Sequence, residues 1–263
     1  MKICALILLA VIRLTSGLYA GDPNLPQTRQ PAVKPSVLLT FDDVYIEQWL
    51  AVMPIFERYN AKATFFVAKF NELTQEQIIA LKKIKAAGHT IGCHSLRHKK
   101  AVDYSKEFSL EQYWKDDVEP AIKFMTDNGF EPSCFAYPNS QNNADTDKML
   151  LKYFSHLRSG VRYSEADAIF VPTGEIINKG CLYGTSMDSS NKSLKIEDIF
   201  AMMDKAMAED KCIVFYGHNI ADGTTRLYTT PERLEQVLKY GQKIGIEFIG
   251  YDQIKRDKEC SRE

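Results

Sequence analysis

The sequence predicts an α/β fold: a distorted (β/α) barrel of seven or eight parallel strands in a single domain. Three observations predict it. Short apolar runs alternate with helical patterns along the chain, the mark of parallel βα units. Seven such runs fit within about 220 residues, which suits one barrel better than two domains. The residues able to do acid–base or metal chemistry (Asp42, Asp43, His94, His98 and His218) all fall at or just beyond the ends of those runs. In barrels of this kind, chemistry gathers where the strands end.

Composition narrows the classes. The 263 residues are 45% hydrophobic, enough for a large core, and the net charge is −1. That balance gives no electrostatic case for binding nucleic acid or an anionic membrane surface. Residues 1–20 read as a secretory signal: Lys2 leads an apolar run from Ile3 to Ile12, Arg13 interrupts it, and Thr15, Ser16, Gly17 and Ala20 follow. The run is too short to span a bilayer, so a secreted or periplasmic protein with no stable membrane anchor is expected. Residues 21–35 hold Pro23, Pro26, Pro31 and Pro35 and read as an extended linker. The barrel domain is placed at 36–254, and 255–263 form a charged tail. Five cysteines follow the signal, an odd number without regular spacing, and they read as buried thiols rather than a disulfide framework.

The elements follow in order. The first strand, 36–41, is an apolar run closed by Asp42 and Asp43. Trp49, Leu50, Met53, Phe56 and Tyr59 then recur at helical spacing. A second strand spans 62–67. Thr74-Gln75-Glu76-Gln77 is a capping box opening a helix through Ile78 and Leu81, which Gly88 stops. The third strand is 89–93. Ser109 to Gln112 repeats the capping signature ahead of a helix reaching Gly129, with Pro120 marking a kink or restart. On that helix Asp116-Asp117 reads as a solvated face. Strands at 133–137 and 154–158 come next, then a helix whose core face is Ile196, Ile199, Phe200, Met203 and Met207. A strand at 212–216, a helix opened by Thr230-Pro231, and a strand at 246–249 complete the domain.

The candidate site follows from what these positions carry. Two carboxylates that close an apolar strand must find partners or solvent, because burying an unpaired charge is costly. His94 and His98 are four residues apart, so one helical turn or a tight loop brings them to the same side. The set offers two imidazoles and one carboxylate to a divalent metal and leaves a second carboxylate as a base. Three protein ligands leave open positions, which metal-assisted hydrolysis requires. His218 ends the apolar stretch 212–217, and a histidine there is either a capping group or a general acid titrating near neutrality. His89 and His156, at the start of one strand and within another, read as structural. Cys93 is a poor ligand, since alternation aims it away from its neighbour His94.

Thr40-Phe41-Asp42-Asp43, then Ala63-Thr64-Phe65-Phe66-Val67, then the run from Gly88 to His98 resemble the polysaccharide deacetylases of carbohydrate esterase family 4 (the NodB-homology domain). The resemblance covers about residues 36 to 252, the whole expected domain. It implies a distorted (β/α) barrel and metal-dependent hydrolysis of acetyl groups, usually N-acetyl and sometimes O-acetyl, from an oligo- or polysaccharide. Carried over by motif, Asp42 is the general base, Asp43, His94 and His98 are the metal ligands, and His218 is the general acid. Zn²⁺ is the expected ion, and Co²⁺, Ni²⁺ or Mn²⁺ suit the same ligands.

The chain departs from the family at several places. Where the third motif has Arg-x-Pro-Tyr, this chain has Ala136-Tyr137-Pro138-Asn139. Arg158, at a neighbouring strand end, is the candidate for the missing charge, and a backbone N–H near Asn139 is the candidate oxyanion donor. The Asp-Trp of the fourth motif is not recognisable, and Asp188 is the candidate for its aspartate. Val44 replaces the usual glycine of the first motif. Tyr137, Pro138, Asn139, Arg158 and Asp188 are therefore expected to support the site or bind substrate. Two other readings are a barrel that binds carbohydrate without turnover and a hydrolase of non-sugar amides. No exposed apolar helix face or heptad indicates an oligomeric state.

Overall fold

The computed structural model describes residues 33–161, 167–191, 194–223 and 225–256. The expected signal, nearly all of the linker and most of the charged tail lie outside those residues. β1 (Ser36–Asp43) is followed by α1 (Ile46–Ala51) and α2 (Met53–Arg58), β2 (Thr64–Val67) by α3 (Gln75–Ala86). β3 (Thr90–Cys93) leads to α4 (Ala101–Glu107), α5 (Leu110–Tyr113), a π-helical turn (Trp114–Val118) and α6 (Glu119–Asp127). β4 (Cys134–Ala136) leads to α7 (Ala144–Leu150) and β5 (His156–Gly160). Then come β6 (Phe170–Pro172), β7 (Cys181–Ser186), α8 (Ile196–Ala208) and β8 (Lys211–Gly217). The described chain ends through β9 (Asn219–Ile220), β10 (Tyr228–Thr229), α9 (Pro231–Ile244), β11 (Glu247–Ile249) and a 3-10 turn (Tyr251–Ile254).

Strands β1, β2, β3, β4, β5, β7 and β8 pair in parallel in that order, and β8 returns to β1, closing the barrel. The closure is uneven, which is the distortion. β1 meets β2 only from Thr40 onward, and β11 takes the same edge at Ser36 to Leu38. Likewise β8 meets β7 at Phe215 and Tyr216, while β6 lies antiparallel along that edge at residues 211–213. The run expected at 246–249 is thus a wedge at the barrel's base. The seventh barrel strand is β7, Cys-Leu-Tyr-Gly-Thr-Ser, whose glycine and polar residues hide it from an apolar-run reading. Gly184 lets β7 approach β8 closely, because a Cβ there would lie 3.0 Å from Val214 Cγ1, tighter than ordinary contact.

Alternation sorts the core into two layers. Leu38, Phe66, Cys134, Leu182, Cys212 and Val214 point into the barrel, where Tyr251 and Ile254 join them. Val37, Leu39, Phe41, Phe65, Phe135, Ile213 and Phe215 face the surrounding helices. Phe41, Phe56, Phe65 and Trp49 form one aromatic cluster in that outer layer, all fully buried. Burying each such ring stabilises by about 1.5–3 kcal/mol.

The expected capping box is present at Thr74 and Gln77. The single helix expected after β1 is two. Pro54 lacks an N–H and sits in the first turn of α2, so the chain restarts at Val52. The expected kink near Pro120 is the π turn immediately before α6. Cys93, Cys134, Cys181 and Cys212 are free thiols, and all but Cys181 are buried.

Candidate active site

The site lies at the carboxyl ends of the strands, in a cleft of ≈ 610 Å³ that Asp42, Asp43, His94, His98, Arg158 and His218 help to line. The inward phase of each strand ends there: Leu38, Thr40 and Asp42 on β1, His156 and Arg158 on β5, Val214 and Tyr216 on β8. Asp43 has the wrong phase, since the pleat sends it outward. Its φ of 85° breaks the extended path. Its Oδ1 thereby reaches 3.3 Å from His98 Nε2 and 3.7 Å from His94 Nε2.

The histidines are set by a loop, not a helix. Ser95 (φ 64°) and His98 (φ 56°) are both left-handed, as are Asn139 (φ 53°) and Ser140 (φ 55°) across the cleft. Such conformations cost non-glycine residues about 1–3 kcal/mol each and collect at functional sites. The strand ends hold the loop in place. Asp43 C=O accepts from Ala68 N–H (3.1 Å), Val67 C=O from His94 N–H (3.0 Å) and Ser95 C=O from Lys69 N–H (3.2 Å).

Asp117 does the rest. It is fully buried, and its carboxylate accepts the backbone N–H groups of Arg97 (2.5 Å) and Lys99 (3.1 Å), one on each side of His98. Its own C=O accepts from Leu96 N–H (2.8 Å). The expectation of a solvated Asp116-Asp117 face is therefore corrected: Asp116 binds the Tyr104 hydroxyl, and Asp117 points inward to clamp the loop. The π turn that carries Asp117 is what aims it, and an α-helical wheel drawn from sequence places it elsewhere.

The donor set suits a divalent cation. One ligand atom each from Asp43, His94 and His98 lie within 4.8 Å of one another. His94 Nδ1 lies 2.8 Å from the Ala136 C=O. A carbonyl only accepts, so the proton is on Nδ1 and the Nε2 lone pair is free. Burial outweighs the nearby carboxylates and pulls His94 down to about 4, which keeps it neutral. Burial alone would raise Asp43, but the His98 hydrogen bond and the charges of His94, His218 and His98 bring it down to about 2. Both groups are thus in the form that binding a metal would need.

Asp42 stands beside this cluster, 3% exposed, with Arg158 Nη2 bonded to its Oδ2. Arg158 is also buried, lying over the Phe66 ring (5.5 Å) and the Tyr216 ring (5.0 Å). Ala136 and Arg158 are register partners on β4 and β5. A guanidinium thus reaches Asp42 from the strand beside position 136, at the same height. Asp42 Oδ1 has no hydrogen-bond partner among the described residues.

On the other side, His218 Nδ1 lies 2.6 Å from Asp188 Oδ2, and the His218 N–H donates to Asp188 Oδ1 (3.1 Å). Asp188 is fully buried and also accepts from Thr229 Oγ1 (3.1 Å) and Ser186 Oγ (3.2 Å). Trp49 Nε1–H donates to the His218 C=O (2.9 Å). Burial pulls the His218 pKa down, but the Asp188 hydrogen bond and the charges of Asp42, Asp188 and Asp43 together raise it above the ordinary value.

The remaining expected residues divide. Tyr137 borders the cleft, but its side chain is buried and its hydroxyl donates to Asp147 Oδ1 (2.7 Å). Pro138 is buried and starts a 3-10 turn, and Asn139 is exposed on the cleft wall. Asp117, Trp49, Thr229 and Ser186 were not expected at the site. They act on a ligand loop or on the His218–Asp188 pair, and no local motif marks them. His89 and His156 are structural, with His89 Nδ1 accepting from Ala63 N–H (3.1 Å) and His156 Nε2 donating to the Ile176 and Ile177 carbonyls.

Residues 29–153 match the model of the family described as polysaccharide deacetylase. No curated protein matches the chain. Among solved structures, a CE4 esterase of Streptococcus mutans aligns with a TM-score of 0.56 at 19% identity, covering 84% of this chain and 87% of that one. The Xyl-CE4 domain of a multidomain xylanase from the hindgut metagenome of Trinervitermes trinervoides aligns at 0.54 and 18%, covering 84% and 89%. A family 4 acetyl xylan esterase from Clostridium thermocellum, in complex with a cobalt ion, aligns at 0.53 and 18%, covering 83% and 89%. At these identities the likeness shows a common fold. Together with the match over residues 29–153, it shows that this chain shares the fold of these esterases and carries, over those residues, the pattern of the polysaccharide deacetylase family.

Proposed function

We propose that this domain is a metal-dependent hydrolase that removes acetyl groups, N-linked in preference to O-linked, from an oligo- or polysaccharide. One observation carries the reading: Asp42 and His218 share a single cleft with the Asp43, His94 and His98 ligand cluster. A pure binding site has no use for a base and an acid around a metal cluster. Asp43, His94 and His98 would hold a divalent ion, Zn²⁺ before Co²⁺, Ni²⁺ or Mn²⁺, which would supply Lewis acidity to the acyl carbonyl and lower the pKa of bound water from about 16 to about 7.

The protein's own groups do the proton work. Asp42 takes the proton of the attacking water on Oδ1, the oxygen left without a partner once Arg158 binds Oδ2. Arg158 keeps that carboxylate oriented, and a backbone N–H near Asn139 is the candidate donor to the oxyanion. His218, held through Nδ1 by Asp188, gives the Nε2 proton to the departing nitrogen. An amide nitrogen leaves poorly unless protonated, whereas an alkoxide leaves more readily. His218→Ala therefore lowers turnover of N-acetyl substrates more than of O-acetyl ones.

The test is acetate release from acetylated chito-oligosaccharides and from acetylxylan. Metal-loaded protein, chelated protein and the His94→Ala variant are compared. Release that disappears on chelation and in the variant supports the reading and identifies the bond. No release from either substrate by stoichiometrically loaded protein removes it. The secretory reading of residues 1–20 extends the proposal to a secreted or periplasmic enzyme, checked by fractionating cells that express the full chain.

A further inference from the structure

A second groove lies beside the cleft, between α4, α5 and α7. Its walls start at the cleft: α4 opens just after His98 and α7 just after Ser140. Gln141 Nε2 donates to Asp103 Oδ2 (3.0 Å), tying the two walls together. The groove measures ≈ 630 Å³, within the range of about 300–1,000 Å³ that ligand sites occupy.

What lines it is not what a plain helix–helix seam needs. Trp114 and Tyr153 stack with centroids 3.7 Å apart at 20°, and Tyr153 remains 47% exposed. Trp114 stands on the same π turn as Asp117, a local geometry that recurs at functional sites. Lys106, Lys148 and Lys152 border the groove, all exposed, and none is ion-paired among the described residues. Two acids, Glu111 and Asp145, line the groove against these three lysines, and Glu111 is also paired with Lys115 (2.7 Å). The shielded Ser105 Oγ has no hydrogen-bond partner among the described residues. An aromatic platform beside surplus positive charge matches one chemistry: a sugar ring bearing an anion. The apolar C–H face of a pyranose packs on an aromatic face, and its carboxylate meets the ammonium groups.

We infer that this groove binds an anionic, carboxylate-bearing stretch of the same glycan whose acetylated unit enters the cleft. The glycan identity rests on the deacetylase reading above; the charge and the platform are independent of it. Chain length and charge are recognised in this groove, beside the cleft.

The experiment is isothermal titration of the full chain, with metal chelated, against a hyaluronan hexasaccharide and the neutral N-acetylated chitohexaose. Hyaluronan should bind more tightly, and added salt should weaken it. Its binding should also change tryptophan emission, because Trp114 is the more accessible of the two tryptophans and Trp49 is fully buried. Trp114→Ala, and separately Lys148→Gln with Lys152→Gln, should weaken binding about tenfold, the lysine pair at an unchanged thermal midpoint. Equal affinity for both hexasaccharides overturns the inference. So does binding that survives the groove variants but is lost in His94→Ala, which assigns the ligand to the cleft. The two readings fail separately: groove binding without acetate release removes the deacetylase, and acetate release without groove binding removes this site.

Discussion

Asp42 and Arg158 form an ion pair that water barely reaches, at 3% and 1% exposure. Removing one partner of such a pair leaves an uncompensated buried charge, at a cost of about 3–5 kcal/mol. Arg158→Met should therefore destabilise chelated protein by that amount and abolish acetate release. Adding Asp42→Asn should restore most of the stability and none of the activity. The check is a double-mutant cycle by urea unfolding, and additive losses would show that the pair is not coupled. His218 yields a pH prediction. Its pKa is raised, with Asp188 the leading cause that opposes burial, so the acid form persists above the ordinary value of about 6.5. Activity should fall as pH rises through that elevated pKa, giving the alkaline limb of kcat/KM. Asp188→Asn removes the opposing charge and should move that limb to lower pH; an unmoved limb would assign it to another group.

The loop from Ser95 to Lys99 is where element and chemistry meet, and Asp117 on the π turn controls it. Outer partners that orient metal ligands typically contribute 10- to 100-fold in metal affinity. Asp117→Ala should lower affinity by about that factor, because it leaves the Arg97 and Lys99 N–H groups without their acceptor and frees His98. Competition titration with a chromophoric chelator reads this directly. Unchanged affinity would make Asp117 a folding residue only. The histidine pair, the strand-end carboxylates and the capping box at Thr74 were legible from spacing alone, because each is a local pattern. Asp117 was not, because a single added residue in a helical turn rotates everything near it. The break at Val52 was readable in principle, since Pro54 announces it. Arg158 was legible only as a candidate, since the β4–β5 register that sets it beside Ala136 is a long-range pairing.

Across the whole molecule, alternation of apolar runs and helices was enough to read the barrel, but not which strands close it. Membership turned on β7, whose Gly184 and flanking polar residues suit a tight approach to β8 and not an apolar run. The same barrel buries histidines far from the cleft, and these set its acid limit. His89 is 4% and His156 1% exposed, and burial pulls both down to about 4. Between that value and the ordinary one of about 6.5, the unfolded chain binds protons that the folded chain refuses. Stability is thus full above pH 6.5 and is lost as pH falls toward 4, by up to about 3 kcal/mol for each histidine. The Asp43 window, from the usual carboxylate value down to about 2, lies below this one, so the two separate on a pH axis. His94 shares the histidine window in the chelated protein. Replacing His89 and His156 together by Gln, which keeps a hydrogen-bonding side chain without a titrating proton, should therefore flatten the decline between pH 6.5 and 4 without abolishing it. Urea midpoints of chelated protein at pH 7, 5.5 and 4.5 measure the slope. A slope identical to that of the parent chain would mean that the acid sensitivity arises elsewhere in the molecule.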